Sequence, residues 1–94
     1  MWTRYPIGRL ILERMERKGM KRPELVKLLG YANTTKGIRK LDGVIRGEDI
    51  DAYLLDRIGV VLEIDPEDMA DAVTTTRAQQ VKDMVESIMP KMRR

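Results

Sequence analysis

The cations Lys36, Arg39 and Lys40 are the side chains whose types and spacing best suit a chemical role. Positions i, i+3 and i+4 share one face of an α-helix, so the three cations form a basic stripe. A helix with a cationic free face has the size and charge to enter the major groove of DNA, where phosphates flank the base edges. The sequence therefore offers a candidate nucleic-acid surface between Thr34 and about Arg46.

Catalytic and metal-binding chemistry lacks its usual side chains. The sequence contains neither histidine nor cysteine, the residues on which most general bases, nucleophiles and zinc sites depend. A catalytic site would have to use carboxylates in a pocket, which a helical chain of 94 residues can hardly enclose. We therefore expect no enzyme, no cofactor and no bound metal.

The two halves of the chain carry opposite charge. Residues 1–47 contain 12 Lys or Arg against 4 Asp or Glu, a balance of +8, whereas residues 48–94 contain 6 against 11, a balance of −5. A basic half attracts DNA, because each neutralised phosphate releases condensed counterions. The acidic half should then face away from DNA. The alternative is that the charges only keep the chain in solution.

The length of 94 residues, 43% of them hydrophobic, is enough for one domain with a single core. Residues 1–6 lack the apolar stretch of a signal peptide, and no run approaches the roughly 18 apolar residues of a membrane span. We expect a cytoplasmic protein with no membrane contact.

The apolar residues recur with helical spacing along the whole chain, which predicts an all-α fold. Helix one begins near Pro6 and ends before Gly19, and helix two runs from about Pro23 to Leu29. Helix three runs to about Arg46. The inward positions are Ile7, Leu10, Ile11 and Met15 on helix one; Leu25, Leu28 and Leu29 on helix two; and Thr34, Ile38, Leu41 and Ile45 on helix three.

A turn from Gly30 to Asn33 joins helices two and three, and Asn33 or Thr34 can cap the third helix. Gly37 and Gly43 lie inside helix three, where each costs about 1 kcal/mol relative to alanine. Two explanations are open. The favoured one is a break near Gly43 or close helix packing, and the other is close approach to DNA.

Helix four is expected from Ile50 to about Leu62. Gly47 stops helix three just before it, and Glu48 or Asp49 supplies its cap. Its inward positions keep the i, i+3, i+4 spacing and are Ile50, Tyr53, Leu54, Ile58 and Val61.

Helix five begins at Pro66, with Asp65 as its cap, and continues to about Ala72. Residues 74–76 are three threonines of low helix propensity, so a joint is expected there before a last amphipathic helix. The apolar stripe of that last helix consists of Val81, Met84, Val85, Ile88 and Met92.

A lone amphipathic helix must bury its stripe against something. We expect a homodimer that pairs through Val81, Met84, Val85 and Ile88, with two recognition helices about one DNA turn apart. The alternative is that the stripe folds back on helices one and five within one monomer.

Between about Ile7 and Met69 the chain resembles the Cro/C1-type (lambda-repressor-like) helix-turn-helix family. The resemblance rests on the succession of helices and on five positions within it, which are Leu25, Gly30, Ile38, Gly47 and Leu54. The chain departs from the family at Val26, where a small alanine is usual. It also departs in the spacing from Gly30 to Ile38, which is about two residues longer and lengthens the turn. The stretch around the turn also resembles small bacterial proteins from which no function is carried over.

The resemblance implies a compact five-helix helix-turn-helix domain, which we place over residues 1–72. The threonine joint and the apolar stripe after it predict a separate C-terminal helix over residues 73–94. The resemblance also implies that the start of helix three contacts base edges or nearby phosphates, through Thr34, Thr35, Lys36, Arg39 and Lys40. The residues that would hold phosphates are Lys21, Arg22, Lys27 and Arg46. The implied partner is double-stranded DNA, and the implied function is that of a small, repressor-like transcriptional regulator.

Two other function classes remain open. The C-terminal stripe can bind a protein partner, as in an antitoxin-like or phage-related adaptor, with the basic face incidental. The same charges can also bind RNA, or coat DNA without reading its bases. Absence of salt-sensitive duplex binding would identify the adaptor, and equal affinity for unrelated sequences would identify the non-specific binder.

Overall fold

The computed structural model describes the backbone of residues 5–92 and the side chains of residues 5–88. In that part of the chain all regular structure is helical, which confirms the all-α prediction. The helices are α1 (Pro6–Arg17), α2 (Arg22–Leu28), α3 (Thr34–Ile45), α4 (Ala52–Leu62) and α5 (Pro66–Met92).

The first four helices end in the same way, with a residue at positive φ just after the last turn. At α3 the Gly47 N–H donates to the Val44 carbonyl and the Glu48 N–H donates to the Gly43 carbonyl, which is the Schellman pattern. The residues at positive φ are Gly19 after α1, Gly30 after α2, Gly47 after α3 and Glu63 after α4. The helix stops predicted at the three glycines are therefore confirmed.

Helix α1 lies at the centre of the fold, where it packs against α3, α4 and α5. Its inner face contributes to one apolar core, as expected for a single domain. The fully buried apolar side chains of that core are Ile7, Ile11, Leu25, Val26, Leu41, Val44, Ile45, Ile58 and Leu62. Burial of each contributes about 1.5–3 kcal/mol, so the core is the main source of stability.

Helix α5 is one continuous helix of 27 residues, so the joint predicted at residues 74–76 is wrong. The reason is tertiary. Thr76 is fully buried, and its hydroxyl oxygen accepts a hydrogen bond of 3.0 Å from the Ile7 N–H. The first N–H groups of a helix have no partner within that helix, so this hydroxyl caps α1 from a neighbouring helix. The bond and the packing of α5 on α1 outweigh the modest helix propensity of threonine.

Two more side chains of α5 reach other parts of the fold. The Gln80 amide donates a hydrogen bond to the Gly47 carbonyl, just after α3. The Tyr5 hydroxyl, just before α1, donates to the Asp83 carboxylate at 3.0 Å. Helix α5 therefore joins the start of α1 to the end of α3.

Helix α4 begins two residues later than the sequence predicts. Its cap is Asp51 rather than Glu48 or Asp49, since the Asp51 carboxylate accepts from two N–H groups of the first turn at 2.9 and 3.4 Å. Tyr53, predicted to face inward, is 71% exposed, and Leu28 on α2 is also exposed. Both helices carry more apolar residues than one face can bury.

Helices α2 and α3 approach each other closely at Gly37. A Cβ at this position would lie 2.2 Å from the Val26 Cγ1 and 3.0 Å from the Tyr31 Cβ, so no side chain fits there. At Gly43 a Cβ would lie 3.5 Å from the Asp49 Cβ, which is an ordinary contact. Helix α3 is continuous through both glycines. Close packing is therefore confirmed at Gly37, and a break near Gly43 is wrong.

Gly37→Ala is expected to lower the free energy of unfolding by about 1–3 kcal/mol, because the added methyl group must displace Val26 in a packed core. Gly43→Ala is the matched control. Its methyl group fits and removes the helix-propensity cost of glycine, so stability should rise by up to about 1 kcal/mol. Urea unfolding followed by circular dichroism measures both changes. Equal effects of the two substitutions would contradict the close contact at Gly37.

Thr76→Val is expected to cost about 1–3 kcal/mol, because it keeps the side-chain shape but leaves the buried Ile7 N–H without an acceptor. Thr75→Val, one residue earlier and exposed, is the control and should change stability by no more than about 0.5 kcal/mol. The same urea titration compares them. If the two variants unfold at the same urea concentration, the hydroxyl cap on α1 does not contribute to stability.

Candidate nucleic-acid interface

Helix α3 has one buried face and one free face, and the predicted site residues lie on the free one. Its buried side chains include Leu41, Val44 and Ile45. Thr34 is half-buried at the border of the two faces. The exposed side chains that share the free face are Thr35, Lys36, Arg39 and Lys40. The structure therefore brings together the residues predicted to contact base edges.

The free face begins at the N-terminus of α3, which Asn33 caps. The Asn33 side-chain oxygen accepts a hydrogen bond of 3.0 Å from the Lys36 N–H, so Asn33 is one of the two caps that the sequence predicts. The positive end of the α3 dipole lies at this turn, beside Thr35 and Lys36. Dipole and side-chain charge thus act in the same direction on a nearby anion.

The C-terminal end of the free face is covered by the loop that follows α3. This loop folds back so that the Glu48 and Asp49 N–H groups both donate to the Gly43 carbonyl. Its carboxylates lie near two predicted site residues. The Asp49 Oδ2 is 3.5 Å from the Lys40 Nζ, and the Glu48 Oε2 is 3.3 Å from the Arg46 Nε. All four side chains remain largely exposed, and such ion pairs contribute little to stability. The loop therefore lowers the positive charge at this end of α3.

Helix α2 contributes cations beside α3. Lys21 and Lys27 are exposed. Arg22 is more buried, and its Nε lies 2.7 Å from an Asp42 carboxylate oxygen on α3. This ion pair joins α2 to α3 and gives Arg22 a structural role. The contact of Arg22 with phosphate, like those of the other site residues, stays a prediction.

Four of the predicted site cations, Lys21, Lys27, Lys36 and Arg39, form no ion pair. Among the side chains of residues 5–88, no carboxylate lies within 4.0 Å of the charged groups of these four. A cation without an internal partner does not have to give one up when it binds a phosphate. The N-terminal half of α3 and the neighbouring surface of α2 therefore carry cations that can bind an anionic ligand without first breaking an internal ion pair.

The predicted dimerisation residues lie at the far end of α5. They are Val81, Met84, Val85 and Ile88, and they are between 46 and 63% exposed. The stripe is not covered by α1 or by the rest of α5, so the alternative in which it folds back within one monomer is wrong for the described side chains. The Met92 side chain lies outside them.

A shallow apolar groove, absent from the sequence-based predictions, runs along α4. The groove has a volume of about 300 Å³ and is lined by Leu28, Tyr53, Asp56, Arg57, Val60 and Val61. A signal for it is present in the sequence of α4, where the runs 53–55 and 60–62 are apolar at consecutive positions. Such runs exceed the width of one helix face, so part of them must stay outside the core.

A carboxyl group with a lowered pKa lies away from α3, at Glu63. The pKa of the Glu63 carboxyl is lowered, because the Lys18 ammonium donates a hydrogen bond to it and attracts its negative charge. A lowered pKa favours the folded state above the ordinary pKa of glutamate, and this contribution is lost as the pH falls. The pair connects the ends of α1 and α4 and has no place in the candidate interface.

Among the described residues, no group of three or more acidic side chains is placed to hold a metal ion. In the same part of the chain, none of the helices is both long and apolar enough to span a bilayer.

Comparison of the chain with protein-family models, with curated proteins and with solved structures finds no match. The resemblance to the Cro/C1-type family stays a prediction. A functional assignment depends on the geometry and charge of the chain's own surfaces.

Proposed function

We propose that this protein binds double-stranded DNA through the N-terminal half of α3 and acts as a small, sequence-specific transcriptional regulator. The observation that carries the proposal is the pair Lys36 and Arg39, exposed on the free face of α3 without an ion-pair partner among the described side chains. The opposite face of α3 is held in the core, so the cations have a rigid support. A helix held in this way fits the helix-turn-helix mode of docking.

In this proposal the α3 side chains read the bases. Arg39 would form paired hydrogen bonds to the N7 and O6 atoms of a guanine, which is the commonest specific contact in the major groove. Lys36, one turn earlier, would contact a neighbouring guanine or phosphate. Thr34 and Thr35 would offer hydroxyl or methyl groups to base edges near the start of the helix.

The cations around α2 and after α3 would position the duplex. Lys21 and Lys27 are exposed and would contact phosphates, which fixes orientation without reading sequence. Lys40 and Arg46 would exchange their exposed partners Asp49 and Glu48 for phosphates. A repressor acts by occupying its site, so this surface alone is sufficient for that role. Such a protein would work in the cytoplasm.

A two-fold dimer would extend the site that is read. The exposed stripe on α5 supports self-association, because an apolar stripe on a helix gains stability when water is removed from it. Two copies related by a two-fold axis would present two α3 helices to half-sites of one palindrome.

The apolar surfaces also support a second candidate function. A stripe and a groove that are both exposed suit a protein-binding adaptor, as in an antitoxin-like or phage-related protein, and the basic face would then be incidental. The regulator must bind DNA, whereas the adaptor must bind a protein and does not need DNA.

Selection of bound duplexes from a randomised DNA library at physiological salt is expected to enrich a two-fold symmetric motif. The symmetry should reflect a dimer, and the distance between half-sites should be about one helical turn, roughly 10 base pairs. Sequencing of the retained duplexes measures both. Retention without enrichment would indicate non-specific binding, and no retention would leave the adaptor as the better account.

Arg39→Ala is expected to reduce the preference for the selected motif over random DNA, by about 1–3 kcal/mol, because it removes a base contact. Lys27→Ala should weaken binding to both kinds of duplex equally and reduce the salt slope by about 1, because it removes a phosphate contact. Titrations of the motif and of a random duplex at several salt concentrations measure both effects. Equal losses on the two duplexes in both variants would refute the division of roles.

A further inference from the structure

Helix α5 carries two different faces. Its core face, with Ala72 and Thr76, packs in the body of the fold. By helical spacing, Val81 and Val85 point in nearly the opposite direction. Every described side chain after Asp83 is exposed, so the end of α5 projects as an arm from a fold that is 51 Å long and 28 by 22 Å across. Because α5 is one continuous helix and its stripe is exposed, the stripe does not fold back onto its own chain.

The α4 groove is the matching unpartnered surface on the body of the fold. Leu28, Tyr53 and Val60 line it and are 58, 71 and 77% exposed. The Arg57 guanidinium is already engaged within the groove, 5.7 Å from the centre of the Tyr53 ring and bonded to the Tyr53 hydroxyl at 3.1 Å. The Tyr53 side chain in the groove is therefore held by Arg57 on the same helix.

Charged side chains lie beside both surfaces, and some of them are opposite in sign. Arg77 and Lys82 lie beside the α5 stripe, both exposed. Asp56 lines the α4 groove and is exposed, with no ion pair within 4.0 Å among the described side chains. Glu63 lies farther along the same helix, paired with Lys18. Asp56 in the groove is thus opposite in charge to Arg77 and Lys82 beside the stripe, while Arg57, which also lines the groove, is held against Tyr53.

We propose that the α5 stripe of one copy lies in the α4 groove of a second copy, and that the second copy returns the same contact. The resulting dimer is a two-fold exchange of α5 arms, in which Asp56 of each copy faces Arg77 and Lys82 of the other. The inference rests on the dimer in the proposed function and does not depend on DNA binding.

The area available favours this arrangement over direct pairing of two α5 stripes. The four stripe side chains, 46–63% exposed, bring on the order of 300 Å² of apolar surface per copy. Two stripes packed on each other would bury roughly 600 Å², about half of the ~1,200 Å² at which specific interfaces begin. Packing each stripe into a groove roughly doubles the buried apolar surface, because Leu28, Tyr53 and Val60 of both copies are then covered as well.

Charge reversal tests the contact. Sedimentation equilibrium of the full chain should give a dimer whose dissociation constant rises with salt. Asp56→Lys alone and R77E/K82E alone should each raise that constant about tenfold, and the combination should return it towards the wild-type value. Circular dichroism confirms that each variant stays folded. The inference would be overturned if the combined variant dimerised no more tightly than the weaker of the two separate charge-reversal variants. It would also be overturned if the wild-type chain were monomeric at every accessible concentration.

Apolar substitutions separate the groove from direct stripe pairing. Val60→Gln in the groove and Val85→Gln in the stripe should both weaken the dimer about tenfold, and Thr75→Gln, exposed on another side of α5, should leave it unchanged. If Val85→Gln weakened the dimer and Val60→Gln did not, the two stripes would pair directly. That result would overturn the inference but keep the dimer. DNA binding is measured separately, so its failure would leave this dimer intact.

Discussion

The absence of a side chain at Gly37 is the constraint on which the candidate interface depends. It lets α3 approach α2 until the Gly37 backbone lies against Val26, a contact that any Cβ would prevent. Because α3 is thereby seated on α2, its opposite face is free along the turns that carry Lys36 and Arg39. The partly buried Arg22–Asp42 pair holds the same two helices from the side. Packing and one ion pair together fix the direction in which the basic face points.

Hydrogen bonds from α5 also hold α3 in position relative to α1. Thr76 caps the start of α1, and Gln80 bonds to the Gly47 carbonyl at the end of α3. The arm that carries the stripe is therefore a rigid extension of the element that contacts α3. If two copies associate through their arms, the distance and angle between the two α3 helices are set by packed helices rather than by a linker. That rigidity is what a fixed half-site spacing requires.

Local rules predicted the glycine helix stops and the Asn33 cap correctly, but they missed the features that depend on tertiary contacts. The glycine helix stops and the Asn33 cap depend on a few adjacent residues, and the structure confirms them. The joint at residues 74–76 was wrong because the bond from Ile7 to Thr76 joins residues far apart in sequence. The outward position of Tyr53 was missed for a related reason, since periodicity identifies apolar residues but not which of two faces the core will cover. The candidate basic face, by contrast, needed only helical spacing.

The structure shows where the oppositely charged halves of the chain meet. The two halves meet at Gly47, and the first acids after it, Glu48 and Asp49, lie against the cations at the end of α3. Positive charge therefore does not spread evenly along α3 but is concentrated at its N-terminal half, where the helix dipole adds to it. An approaching duplex would be attracted most strongly to that half, while the acidic loop disfavours phosphate beside it. Helix-turn-helix proteins place the N-terminal residues of the recognition helix against the bases, and this distribution of charge favours the same orientation.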